Sequence, residues 1–269
     1  MLALLTVPGC HTEADYARVR RDCEDEVGGW RPSTSAGDVA GSIGARCAAT
    51  LGESIGLDWD GFGFEPSDLS GSETGAYVLA GLLVVAASDD AALSDVLADP
   101  DLPHVAADRL ERLASEADLP GTSPAAEAWF GLVHEAIRST TFSETVLSGA
   151  AAAYSAEEQS VVFAPALLRW DRTLAGADLP AAASAQIVHE ASHSFTDVHV
   201  PCATNATRDC DATVEGAYGI GIWWLHAWLR DYRDDVAADD CRDLDDLQAG
   251  ACGHVEDADG WPPCAGSCP

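Results

Sequence analysis

Residues 189–193 read His189-Glu190-Ala191-Ser192-His193. On a helix, residues four apart share a face, so both imidazoles can reach one metal ion. Glu190 follows the first of them and can act on a water held at that ion. Two neutral imidazoles, a carboxylate base and an open coordination position are the minimum equipment for metal-assisted hydrolysis. By composition, three fixed letters at this spacing are expected only about 0.01 times in such a chain. The flanking sequence carries helix signals: Asp178-Leu179-Pro180 places proline in a first turn, and Ala181-Ala182-Ala183 continues it. The competing reading is a core or surface helix that carries two histidines and binds nothing.

Through His189, Glu190 and His193 the chain resembles the zincin metallopeptidases. The resemblance implies a Zn2+ cofactor, Glu190 as general base, a peptide or protein substrate, and a third protein ligand. Two zincin classes supply that ligand differently. In the metzincin pattern it is a third histidine, and His199 stands at the matching offset from His189. Thr196 occupies the place of the pattern's glycine, where a β-branched residue resists positive φ. The pattern's later methionine turn is missing, since the only methionine is Met1. In the gluzincin pattern the ligand is a glutamate on a following helix, and Glu215 fits. A histidine at one stated position arises by chance about 0.03 of the time, a glutamate within a seven-residue window about 0.35. His199 is therefore preferred and Glu215 is the alternative, with Asp197 or Asp211 behind them. Tyr218 or His226 is a possible oxyanion stabiliser, although His226 reads more readily as a packed core histidine among Trp223, Trp224 and Trp228.

The chain has 269 residues and a formal net charge of −31. Its 14 basic residues are all arginine. Such a chain repels nucleic acid and anionic lipid, so neither is expected as a partner.

Nine cysteines form an odd set. Cys10 ends an apolar run, Leu5-Thr6-Val7-Pro8-Gly9, that resembles a bacterial lipobox, although no positively charged region precedes it and the run is short. Lipidation at Cys10 implies an exported protein of the cell envelope, or a secreted one, touching membrane through the lipid alone. The remaining eight are Cys23, Cys47, Cys202, Cys210, Cys241, Cys252, Cys264 and Cys268. Their clustering suggests Cys23 with Cys47, Cys202 with Cys210, and two bridges within the last four, as suits an exported chain. A second zinc site from the C-terminal cysteines is the rival reading.

Helical composition marks residues 12–27, 37–51, 104–117, 123–139 and 180–195. Residues 52–75 read as a long loop. Residues 76–88 are the most apolar segment, too short to span a bilayer, and read as a buried helix. The best strand is 160–164; 140–142 and 144–147 are weaker. Residues 213–232 are apolar nearly all round and predict a buried helix. There Gly216, Ala217 and Gly219 are small enough for close packing on the motif helix.

These elements predict an α+β, mainly helical fold: a zincin-like metal-binding helix, a small upstream β-sheet and a disulfide-stapled C-terminal tail with little core of its own. The divisions are a signal remnant at 1–10, a mostly helical region at 11–150, a metal-site region at 151–235 and the Cys-rich tail at 236–269. The expected function is zinc-dependent peptide-bond hydrolysis. The alternative is a non-catalytic surface lipoprotein that binds metal or only retains the helix. Mass spectrometry of the native protein is expected to find acylated Cys10; an intact Met1 on protein from membrane-free cytosol would refute lipidation.

Overall fold

The computed structural model of the chain describes residues 95, 97–117, 128, 140–142, 152–155, 160–163, 180–196 and 199–268. Over these residues the fold is mainly helical with two small sheets. The elements are helix α1 (His104–Ala117), strands β1 (Thr140–Phe142), β2 (Ala152–Ser155) and β3 (Ser160–Phe163), helix α2 (Pro180–Ser192), strands β4 (Val200–Pro201) and β5 (Asp209–Cys210), and helices α3 (Ala217–Tyr232) and α4 (Ala238–Cys252). The helices expected at 12–27, 37–51 and 76–88, the strand at 144–147, and Cys10, Cys23 and Cys47 lie outside the described residues. Of 123–139, Ala128 is described; it is helical and buried.

Helix α3 is the hub. Its sequence is apolar on nearly every side, and a helix of that kind must be largely surrounded. Ile220, Trp223, Trp224, Leu225, Trp228 and Leu229 are all buried. Its most extensive helix contact is with α2. The two backbones approach closely at Gly221, where a Cβ would stand 3.1 Å from the Ala185 carbonyl oxygen and 3.2 Å from His189 Cβ. A polar bond crosses the contact: Trp224 Nε1 donates to Ser184 Oγ at 2.8 Å. Ser184 Oγ itself donates to the Ala181 carbonyl at 2.7 Å, so neither buried group is orphaned.

On another side α3 packs against α4. Leu225, Trp228 and Leu229 meet Val236, Cys241 and Leu244 with Ala181 of α2 in one cluster. The tail thus takes part in a core that it shares with α3 and α2. Residues 238–252 form a helix that places Cys241, Leu244 and Gln248 inside. The acidic sequence of the tail hides this, because its aspartates occupy the other faces, and Asp239 and Asp240 sit in the first turn, where the helix dipole favours negative charge. Cys241–Cys268 and Cys252–Cys264 lie at disulfide distance, and Asp245 accepts from the amides of Ser267 and Cys268.

Helix α1 is tied to the hub by two acids. Glu215 accepts at its two oxygens from the backbone N–H groups of His104 and Val105, at 3.1 and 2.8 Å, and so caps α1. Buried Asp99 pairs with Arg230 near the far end of α3. Upstream of α2 lies a three-stranded sheet of order β1-β3-β2, with β1 parallel and β2 antiparallel to β3. Strand β3 coincides with the expected strand and β1 with a weaker candidate. Strand β2 was not expected, because Ala-Ala-Tyr-Ser has little β-propensity of its own and is strand through its pairing with 160–163. Strand β2 is an edge, and it touches α2. Among the described residues no helix is long and apolar enough to cross a membrane.

The α2–α3 approach makes a direct prediction. Gly221→Val places a branched side chain where even a Cβ crowds the Ala185 carbonyl and His189, and overpacking of this kind costs roughly 1–3 kcal/mol. Urea unfolding should show a fall of that size; unchanged stability would mean the helices can separate freely at this point.

Candidate metal centre

Helix α2 ends at Ser192, earlier than 195, and His193 stands in the turn that follows. His193 N donates to the Glu190 carbonyl at 3.3 Å, so the helical path continues far enough to keep His189 and His193 on one side. Their ring centroids are 5.0 Å apart. His199 completes a triad, with centroids 4.6 Å from His193 and 5.3 Å from His189. Ligand nitrogens of the three histidines lie within 4.8 Å of one another.

His199 reaches this place without the expected glycine. The chain leaves α2 through a tight turn in which the Phe195 and Thr196 amides both donate to the Ser192 carbonyl. It then enters strand β4, whose Val200 pairs antiparallel with Cys210 of β5. Cys202 and Cys210 lie at disulfide distance and clamp the hairpin. The next residue, Asp211, returns to the histidine: its Oδ1 is 2.7 Å from His199 Nδ1. Its Oδ2 accepts from the backbone N–H groups of Tyr218 and Gly219 at 2.6 and 3.3 Å. One carboxylate thus holds the third histidine and caps α3, whose N-cap Gly216 has no side chain to do so.

The electrostatics suit neutral imidazole ligands. Burial, reinforced by His193 and His199, holds His189 well below the ordinary imidazole range, opposed by a hydrogen bond to the Ala217 backbone. Burial and His199 push His193 down to about 4, with Asp211 opposing. Glu190 is only 3% exposed. Burial pushes its carboxyl up to about 7, against a hydrogen bond from Gln186 Nε2 to Oε1 at 2.7 Å and the charge of His199. Its other oxygen, Oε2, is buried with no hydrogen-bond partner. Tyr218 lines the same space, its ring centroid 4.5 Å from His189 and 4.6 Å from His199. Burial and neighbouring Asp211 push its phenol up to about 12, so it stays a donor. His254, from the loop after α4, stacks on its outer face at 4.6 Å.

A transition-metal ion fits this set of groups. Three imidazoles converge, the kind of donor set found in open zinc sites. An orphaned carboxylate oxygen beside them costs about 1–3 kcal/mol unless something polar meets it. Among the other candidates, Asp211 serves behind His199, and Asp197 lies outside the described residues. Glu215 is not part of the triad, because both its oxygens are committed to the α1 amides. His226 lies elsewhere too, with Nδ1 2.8 Å from Ser267 Oγ. Cys202, Cys210 and His254 also have close ligand atoms. However, the two sulfurs lie at disulfide distance, and the His254 nitrogens face Asp209 O and Arg208 Nη2.

Sequence reasoning missed Gln186 and the dual part played by Asp211. Gln186 stands four residues before Glu190, so helical spacing alone could have found it. Asp211 meets His199 only through the hairpin, which no local pattern announces. In comparison with known proteins, no family model, no curated protein and no solved structure matches the chain.

The hairpin clamp has a measurable weight. Replacing Cys202 and Cys210 together by alanine should lower stability by about 2–4 kcal/mol. It should also open residues 203–209 to limited proteolysis; unchanged unfolding and unchanged cleavage would mean the pair does not hold the loop.

Proposed function

We propose that the chain is an exported, lipid-anchored zinc-dependent peptide hydrolase of zincin-like type. The observation that carries this reading is the convergence of His189, His193 and His199 beside a buried carboxylate with one unpartnered oxygen. The three histidines would hold the ion, and Glu190 would remain outside its ligand set. Zinc bound there supplies a Lewis acid for the scissile carbonyl and lowers the pKa of a water to about 7.

The chain's own groups do the rest. Gln186 fixes Oε1 of Glu190, which leaves Oε2 to take the proton of the attacking water. The dry surroundings that raise the carboxyl to about 7 let it hold that proton and pass it to the leaving amine as the C–N bond breaks. Tyr218 is a protonated donor beside His189 and His199, suited to the oxyanion that develops on the carbonyl. Strand β2 touches α2 and is an edge of its sheet among the described residues, the kind of position at which an extended peptide can pair. Export agrees with the three cysteine pairs at disulfide distance.

Glu190→Gln should cut peptide hydrolysis roughly 10²–10⁴-fold while zinc stays bound. His193→Ala and His199→Ala should each lose zinc. Glu215→Ala should keep zinc and instead lower stability by about 0.5–2 kcal/mol, the weight of a helix cap. A peptide-library assay with metal analysis reads all four. Zinc binding without hydrolysis in the wild type would favour the non-catalytic metal-binding lipoprotein; no zinc binding at all would sink the metal reading.

A further inference from the structure

We infer that Asp211 is the positioning residue of the metal centre, holding His199 in the tautomer that leaves its other ring nitrogen free for the ion. The inference rests on the zinc reading above and adds a residue to it. His199 needs such a partner more than the other two. His189 is buried on a helix and His193 follows within its last turn, whereas His199 stands on a connecting segment with its ring partly exposed. An imidazole on such a segment turns freely unless something fixes it.

Asp211 is built to do this. It is only 4% exposed, and its backbone is pinned on both sides: its N–H donates to the His254 carbonyl at 2.8 Å and its carbonyl accepts from Glu256 N–H at 3.0 Å. Cys210, its chain neighbour, lies at disulfide distance from Cys202. Two backbone N–H groups of α3 converge on Oδ2. An aspartate carboxylate can only accept hydrogen bonds. The bond at Oδ1 therefore requires the proton on His199 Nδ1 and leaves the lone pair on Nε2. A buried acceptor of this kind commonly stands behind a metal-binding histidine, and its loss typically costs 10–100-fold in metal affinity.

Gly216 gives independent support. A Cβ there would lie 2.2 Å from Asp211 Cγ and 2.3 Å from Oδ2. The glycine has φ −83°, a value open to any residue, so its backbone does not demand glycine. The space it leaves is the space the carboxylate occupies.

Asp211→Asn separates positioning from capping. The amide oxygen can still accept from Tyr218 and Gly219, so the start of α3 survives. The amide nitrogen then faces His199 Nδ1 and favours the opposite tautomer. Zinc affinity, measured by competition with a chromophoric chelator, should fall roughly 10–100-fold. The melting temperature of the metal-free protein should change little, and the visible spectrum of the cobalt-substituted protein should shift. Nitrogen-15 NMR of the metal-free wild type should find His199 protonated at Nδ1, a readout that needs no variant. Protonation at Nε2 there, or an Asp211→Asn variant with wild-type zinc affinity, would overturn the inference while leaving the zinc reading intact. Wild-type protein that binds no zinc, whatever its His199 tautomer, overturns both.

Discussion

The burial of α3 is the constraint on which the other contacts depend. A helix whose tryptophans and leucines spread over most of its surface is stable only if neighbours cover them, and α2 and α4 do so. Covering it with α2 requires small residues at the crossing, because two helices cannot approach closely through a tryptophan. Gly221 meets that need opposite Ala185 and His189. The same packing that hides the tryptophans therefore pulls the first histidine into the interior. His189 and Glu190 become dry because α3 must be, and their shifted proton affinities follow from that dryness.

A chain of net charge −31 has acids in excess, so the few that are buried are informative. Among the described residues they are Asp99, Glu190 and Asp211. Asp99 faces Arg230, and Asp211 accepts from two amides and meets His199. Glu190 alone keeps an oxygen with no partner. Folding gains nothing from that oxygen, since an unsatisfied buried acceptor is destabilising. That oxygen lies beside three converging imidazoles, and the hydrolase proposed above would give it a use as the base.

What the sequence made legible follows how local each signal is. The motif helix, the buried helix near 213–232 and the strand at 160–164 rest on short-range patterning, and each lies within a few residues of its expected place. The cysteine pairs were legible because clustered cysteines have few partners in reach. The helix in the tail was not, since its large apolar residues Leu244 and Leu247 are diluted by aspartates on its other faces. Strand β2 depends on its neighbour, and Asp211 on a hairpin, so neither leaves a local trace.

The third histidine shows why this division falls where it does. His189 and His193 come from one helix, and helical geometry alone aligns them. A third donor must come from elsewhere in the chain, so its place depends on tertiary contacts. Here a cysteine pair at disulfide distance closes the hairpin, the strands set its register, and Asp211 returns from its far side to meet the ring. The threonine at 196 argued against this path only if the turn needed a residue with positive φ. The exit from α2 is made by the Phe195 and Thr196 amides sharing the Ser192 carbonyl, bonds that a threonine backbone can donate. Glu215 fitted a sequence window equally well, but a carboxylate at the start of one helix also suits the bare amides of another, and α1 claims it. Spacing proposed both ligands; the difference between them lies in which partner each side chain can reach once α3 is covered.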